Sequence, residues 1–137
     1  MRIEHILCAV DGSAPALRAV IQATRVARGM RSQLTIVSVR QTANAAAAAP
    51  PPDVESDMTA ALSVAAETAL QNGFEGVRTV QVSAPDAATA VADYARQYEA
   101  GLIFAGATGL HSTCETRFGS TCMNLLRQAP CPVTVVH

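Results

Sequence analysis

Five short apolar segments, separated by stretches with helical periodicity, constrain the fold of this chain more than any other feature. Residues 6–10 are apolar without alternation, which is typical of a strand covered on both faces in a parallel sheet. The segment 77–82 alternates between apolar and polar residues, as a strand near a sheet edge does. The remaining predicted strands span residues 34–39, 102–105 and 132–136.

Four helices are predicted between these strands from apolar residues that recur every three or four positions. They span residues 14–28, 53–72, 85–99 and 120–128. Gly29 and Gly73 follow the first two, and glycine commonly ends a helix. The alternation predicts a single α/β domain over residues 1–137, a doubly wound domain with a five-stranded parallel sheet and helices on both faces.

Residues 41–52 interrupt this pattern with a stretch rich in alanine that ends in three prolines. Because proline cannot continue a helix, we interpret the stretch as a mobile loop that follows the second strand and partly covers a ligand. A linker between two domains is the alternative, but the preceding segment is too small to fold alone.

Composition excludes several classes of function. The net charge is −1, and all ten basic residues are arginine, so a P-loop lysine and a Schiff-base lysine are both excluded. The sequence also lacks the basic stripe that would suggest a nucleic-acid partner. No apolar run approaches a membrane helix, and the amino terminus lacks the pattern of a signal peptide. We therefore expect a cytoplasmic protein.

The four cysteines give no sign of a metal site. Cys8, Cys114, Cys122 and Cys131 form no C-x-x-C pair and have no histidine cluster beside them, which disfavours structural zinc. Cys114 lies in a predicted loop near a helix start, where thiols can become reactive. An inert thiol is the simpler interpretation, since no second cysteine is near it in sequence.

Two predicted strands are followed by residues suited to ligand binding. Asp11-Gly12-Ser13 follows the first strand, and Gly106-Ala107-Thr108-Gly109 follows the fourth. Ligands of doubly wound sheets bind outside the carboxyl ends of the strands, where the strand order reverses. Asp11 has a second interpretation as the cap of the first helix.

Glycines after the fourth strand form the pattern G-x-x-G-x(9)-G-S, with Gly106, Gly109, Gly119 and Ser120 at the defined positions. The first two glycines permit close approach of a ligand and positive φ angles. Gly119 precedes a helix whose unpaired N–H groups suit phosphate, with hydroxyls from Ser120 and Thr121. The pattern is neither G-x-x-x-x-G-K-[ST] nor the dehydrogenase G-x-G-x-x-G.

This pattern resembles the nucleotide-binding signature of the universal stress protein family. Residues 6–13 also resemble that family's first strand and turn, and residues 129–133 its approach to the last strand. The resemblance implies the strand order 3-2-1-4-5 and binding of ATP, ADP or AMP, with Mg²⁺. It also implies a stress-response role and a homodimer joined through residues 133–136, where an apolar edge strand would otherwise be exposed.

The resemblance also implies the binding residues. Ala9, Val10 and Asp11 would lie near the adenosine, and Val39 would contact the base. Ribose and phosphates would be surrounded by Gly106, Thr108, Gly109, Gly119, Ser120 and Thr121.

The sequence departs from the family pattern in two places. Ala100-Gly101 precedes the fourth strand where the family often has aspartate, and the glycine loop carries His111, Cys114, Glu115 and Arg117. Which of Glu115 and Arg117 faces the ligand is not decided by the sequence. A regulatory ATP-binding protein is the favoured function. The alternatives are an enzyme, either a slow ATPase or a nucleotidyl transferase, and an interaction module without nucleotide.

Overall fold

A computed structural model describes residues 3–42, 52–109 and 118–137 of the chain, with side chains of the second helix described from residue 59. The elements in chain order are β1 (His5–Val10), α1 (Ala14–Met30), β2 (Gln33–Gln41), α2 (Pro52–Gln71), β3 (Arg78–Ala84), α3 (Ala87–Gln97), β4 (Leu102–Gly106), α4 (Ser120–Gln128) and β5 (Val133–Val136).

All five strands form one parallel sheet in the order β3-β2-β1-β4-β5. The predicted fold class and strand order are therefore confirmed. Strand β1 lies at the centre, with Ala9 paired to Val37 of β2 on one side and to Ala105 of β4 on the other. The order reverses at β1, so the crevice of a doubly wound sheet opens beside the carboxyl ends of β1 and β4.

The core consists of two apolar layers, one on each face of the sheet. Ile6 and Cys8 of β1 point into the layer that includes α1 and α2, whereas Leu7 points into the layer beneath α3 and α4. All three side chains are fully buried, as the absence of alternation in β1 predicts. Alanines such as Ala19 and Ala23 form much of the helix surface against the sheet, so α1 can lie close to the strands.

Several element ends differ from the predicted ones. Helix α1 continues through Gly29 to Met30 and ends at Arg31, whose φ is 55°. The backbone N–H of Arg31 lies against the carbonyls of the preceding turn, so a non-glycine residue takes the left-handed position that Gly29 was expected to introduce. Similarly, α3 begins after Pro85 and ends at Gln97, two residues earlier than predicted.

The predicted loop 41–52 extends too far at both ends, into β2 and into α2. Gln41 belongs to β2, the N–H of Thr42 donates to the carbonyl of Ala84, and Pro52 begins α2. Residues 43–51 lie outside the described part of the chain. The mobility and the covering role of this segment remain predictions.

Candidate functional site

The turn after β1 and the loop after β4 meet at the carboxyl edge of the sheet. A methyl group built on Gly109 would lie 2.7 Å from Oδ2 of Asp11. The carboxylate of Asp11 therefore lies directly against the backbone of Gly109. Two segments that the sequence singled out separately, almost 100 residues apart, form one surface.

Local hydrogen bonds explain the shape of the turn after β1. The N–H of Ser13 donates to Oδ1 of Asp11 over 2.9 Å, and Gly12 between them has a φ of 88°. Glycine is favoured at Gly12 because side chains rarely adopt this conformation. The turn holds Asp11 at the rim of the sheet, where its side chain is exposed.

Ser13, and not Asp11, is the cap of α1. The Oγ of Ser13 accepts the N–H of Ala16 over 3.3 Å, and its backbone is extended, as is usual at an N-cap. The interpretation of Asp11 as a helix cap is therefore wrong. Its carboxylate braces the turn and faces the glycine loop.

Ser13 also connects the two halves of the site, a role that sequence reasoning missed. Ser13 is 6% exposed, and its hydroxyl donates to the carbonyl of Thr108 over 3.4 Å. The only signal in the sequence was the position of a serine in the turn between strand and helix, which suggests a cap but not its second partner. Ser13 thus links α1 to the loop after β4.

Gly106 has a packing role that the sequence did not reveal. A methyl group on Gly106 would lie 2.8 Å from the backbone N of Ala16 and 2.9 Å from the carbonyl carbon of Pro15. The start of α1 therefore packs directly on Gly106. Neither Gly106 nor Gly109 is among the described glycines with positive φ, so neither uses the positive φ angle that glycine permits.

The start of α4 presents backbone donors at the same edge. Gly119 is its N-cap, and no side chain caps it within the described part of the chain. The first helical hydrogen bond runs from Met123 N–H to the Gly119 carbonyl over 3.0 Å. The N–H groups of Ser120, Thr121 and Cys122 precede it and therefore have no acceptor within the helix.

Gly119 differs from these residues because its own N–H donates to the carbonyl of Ala107 over 2.7 Å. The donors that α4 offers to an anion thus begin at Ser120, one residue later than the glycine pattern suggested. Ser120 and Thr121 are exposed and can add their hydroxyls. Burial raises the pKa of the Cys122 thiol, which favours a neutral side chain behind this surface.

The predicted adenosine-side residues lie near the carboxyl ends of the central strands. The side chain of Val10 is buried in the layer beneath α1, whereas Ala9 and Val39 pack at the margin of the opposite layer. Val39 lies one residue beyond Ser38, the partner of Val10. Val39 is partly exposed and so remains available to an apolar ligand group, whereas Val10 can offer mainly its backbone. His111, Cys114, Glu115 and Arg117 lie outside the described residues.

Two surface cavities lie at the opposite, amino edge of the sheet. The larger has a volume of about 350 Å³ and is lined by Glu4, His5, Arg31, Gln33, Tyr98 and Glu99. His5 is used structurally there, since Nδ1 lies 3.2 Å from the carbonyl of Tyr98 and Nε2 lies 2.8 Å from Oγ1 of Thr35. Nothing in either cavity matches the predicted nucleotide residues.

The described ranges contain neither a cluster of metal ligands nor a membrane-spanning helix. No three histidine, cysteine, aspartate or glutamate side chains of residues 3–42, 59–109 and 118–137 come together as metal ligands would. Within the part of the chain that the structure covers, every helix is too short or too polar to cross a membrane.

Comparison with known proteins identifies the family. The model of the universal stress protein family matches residues 2–137. The chain belongs to this family. Its sheet order is that of the universal stress proteins, as the resemblance implied. Comparison with curated protein sequences gave no match.

Solved universal stress proteins share the fold over the full chain. UspA from Lactobacillus plantarum is 27% identical, with a TM-score of 0.76 and coverage of 100% of this chain and 99% of the other. A universal stress protein in complex with cAMP is 23% identical, with a TM-score of 0.78 and coverage of 100% and 98%. The Archaeoglobus fulgidus protein in complex with dAMP is 21% identical, with a TM-score of 0.81 and full coverage of both chains.

Proposed function

We propose that this universal stress protein binds an adenine nucleotide at the carboxyl edge of its sheet and uses occupancy as a regulatory signal in a stress response. One observation carries the proposal: the Asp11 carboxylate against Gly109 and the uncapped start of α4 lie on the same edge. The complexes of similar proteins with cAMP and dAMP support the choice of an adenine nucleotide.

The two ends of the site suit different parts of such a ligand. The backbone N–H groups and hydroxyls of Ser120 and Thr121 would receive the phosphates, aided by the partial positive charge of the helix terminus. Asp11, as a carboxylate, can accept hydrogen bonds from ribose hydroxyls but would repel a phosphate. We therefore place the adenosine near Asp11 and Val39, and the phosphates near the start of α4.

ATP is the first candidate, with ADP and AMP as the other members of the class. Mg²⁺ would be carried mainly by the phosphates, because it retains several waters and takes only one or two protein oxygens in such complexes. Among the described residues, Asp11 and the hydroxyls of Ser120 and Thr121 are oxygen donors at this edge. Turnover, if present, would be slow, since phosphoryl transfer needs a positioned water and a cationic clamp as well as metal.

Calorimetry tests the proposal directly. Titration with ATP, AMP and adenosine should show binding of all three, with affinity rising with phosphate number. Ser120→Ala should weaken ATP more than adenosine, whereas the control Thr79→Ala, an exposed hydroxyl on β3, should change neither. If none of the three ligands binds, the protein is better explained as a nucleotide-free interaction module. Rapid steady-state phosphate release would favour an enzyme.

We also propose a homodimer joined through β5. Strand β5 ends the sheet, so a symmetry mate could pair with its open edge. Gln128 of α4 contacts Thr89 and Arg96 of α3. By helical geometry, Met123 and Leu126 therefore lie on the flank of α4 that faces away from α3, towards the β5 side, where both are exposed. Pairing of two β5 strands would bring these apolar flanks together.

A proline scan of β5 separates this pairing from the internal sheet. The carbonyls of Pro132 and Val136 accept hydrogen bonds from the β4 side, so alternate residues 132, 134 and 136 face β4 while Val133 and Val135 face outward. Val135→Pro should give a folded monomer by light scattering, whereas Thr134→Pro should destabilise the sheet itself. A monomeric parent protein at micromolar concentration would contradict the dimer. We place the protein in the cytoplasm, which fractionation would test.

A further inference from the structure

The peptide groups flanking Ala107 connect the edge strand to the start of α4. The N–H of Ala107 donates to the carbonyl of Val136, and its carbonyl accepts the N–H of Gly119, each over 2.7 Å. Ala107 is also 1% exposed. One buried residue thus joins the last residue of β5 to the N-cap of the helix that would receive phosphates.

A second contact joins the same two regions from the other side. The ring of Phe118, which directly precedes Gly119, lies 5.7 Å from the ring of His137, which directly follows β5. The carbonyl of His137 also accepts a hydrogen bond from Nε of Arg18 on α1 over 2.5 Å. The end of β5 therefore contacts both Ala107 and Phe118, which lie near the two ends of the glycine loop, residues 106–119.

From these contacts we infer that the phosphate end of the site and the end of β5 open as one unit, so that nucleotide occupancy controls the edge strand. This inference rests on the proposed function and names a regulation of the same site. If β5 separates from Ala107, the Gly119 N-cap loses the support of the Ala107 carbonyl. The opened form would then lack the arrangement of donors that receives phosphate.

Coupling of this kind has a defined consequence for a second copy of the chain. In the closed form, β5 is bonded to Ala107. A ligand that binds this form alone raises the ratio of closed to open molecules by a factor of one plus the ligand concentration divided by its Kd. The closed form is the one with an ordered β5 edge, which is the edge proposed to pair in the dimer. Nucleotide therefore strengthens dimerisation, and dimerisation strengthens nucleotide binding by the same factor.

Hydrogen exchange of single amides tests the inference on the full chain. The Ala107 amide exchanges only when its bond to Val136 opens, so with ATP at 100 times its Kd the exchange should slow about 100-fold. The amide of Tyr98, bonded to Tyr94 at the amino edge, reports local opening elsewhere and should stay unchanged. An unchanged Ala107 rate in protein that calorimetry shows to be saturated would overturn the coupling.

A variant keeps the test independent of nucleotide. Phe118→Ala removes the ring contact with His137 and should accelerate Ala107 exchange without ligand about two- to tenfold, the range expected for losing an aromatic pair. The control Leu70→Ala truncates an exposed apolar side chain elsewhere, on α2, and should leave the exchange rate of the Ala107 amide unchanged. Equal rates in Phe118→Ala and the parent would overturn the coupling. Lack of ATP binding by the parent would instead overturn the proposed function, and the coupling would then be decided by Phe118→Ala alone.

Discussion

Oδ2 of Asp11 occupies the space that a side chain at Gly109 would need, with only 2.7 Å between that oxygen and the place where a methyl carbon would lie. The other carboxylate oxygen, Oδ1, is held by the N–H of Ser13. One carboxylate oxygen is thus held by the turn after β1, and the other lies against the glycine loop. The requirement for glycine at position 109 comes from Asp11 and not from a φ angle.

Gly109→Ala should therefore displace the Asp11 carboxylate and weaken adenosine binding. The effect should resemble that of Asp11→Ala, because both variants remove the carboxylate from its place. In Asp11→Ala the neighbouring obstacle is absent, so adding Gly109→Ala should cost little more. Calorimetry with adenosine on the two single variants and the double variant measures this non-additivity. Strictly additive losses would contradict the contact.

Gly106→Ala should lower the stability of the fold even when no nucleotide is bound. The added methyl would meet backbone atoms of Pro15 and Ala16 at 2.8 to 2.9 Å, and overpacking of this kind typically costs about 1–3 kcal/mol. Thermal unfolding of the protein without nucleotide should show the loss as a lower Tm.

Gly29→Ala is the matched control for that substitution. Gly29 lies within α1 and a methyl group there would meet no atom within 4 Å, so alanine should stabilise the helix by roughly 0.5–1 kcal/mol. Opposite changes in Tm for the two variants are expected. A Gly106→Ala protein as stable as the parent would show that α1 can move away from β4 without cost.

These glycines show how far sequence reasoning reached. The β/α alternation predicted a parallel sheet and all nine elements of the described chain, because the apolar periods of Leu7, Ile103 and their neighbours reflect burial on two sheet faces. The strand order came from the family resemblance instead. The spacing of Gly106 and Gly109 indicated a special loop. It could not show that one glycine accommodates a helix and the other a carboxylate, because both partners come from a distant segment.

Element ends were predicted less well for a similar reason. Gly29 suggested the end of α1, but the helix continues to Met30 because helix propensity at one glycine is outweighed by packing of the whole turn. The sequence also allowed Asp11 to be interpreted as the cap of α1. Only the actual backbone path shows that Ser13 points its hydroxyl at Ala16 while Asp11 does not.

Helix α3 should show a pH-dependent contribution from its N-cap, Asp86. Its Oδ2 accepts the hydroxyl of Thr89 over 2.6 Å and the N–H of the same residue over 2.9 Å. The side-chain hydrogen bond from Thr89, followed by the backbone one, lowers the pKa of Asp86 below its usual 3.8. Because the folded pKa is the lower one, this contribution is present above pH 3.8 and is lost as the pH falls through the folded value.

Asp86→Ala should therefore destabilise the protein near neutral pH by about 0.5–2 kcal/mol. The difference in the free energy of unfolding between this variant and the parent should narrow as the pH falls below 3.8. Chemical unfolding at a series of pH values measures it. Asp93→Ala, which removes another carboxylate of the same helix from a surface pair with Arg96, is the control for net charge. A gap that stays constant with falling pH would contradict the ionised cap.

Gly119→Val is expected to abolish nucleotide binding while leaving the fold intact. A methyl group at Gly119 would lie 3.7 Å from the carbonyl oxygen of Ala107 and 3.7 Å from Cα of Thr108, which is ordinary contact. Its φ of −67° and ψ of 164° are accessible to valine. The protein alone therefore has room for the first carbon of a side chain, whereas a phosphate at the start of α4 would be obstructed by its branches.

Ser120→Ala should have a smaller effect, because it removes one hydroxyl and leaves the backbone N–H groups of α4 in place. A hydrogen bond to a charged acceptor is worth about 1.5–3 kcal/mol, equivalent to roughly 10- to 150-fold in Kd. Circular dichroism should first confirm that Gly119→Val is folded, and titration with ATP and adenosine should then separate the two ends of the site. Adenosine should still bind to the valine variant more nearly like the parent than ATP does. If folded Gly119→Val binds ATP as tightly as the parent, the start of α4 is not where phosphate binds, and the assignment of the glycine loop loses its main physical support.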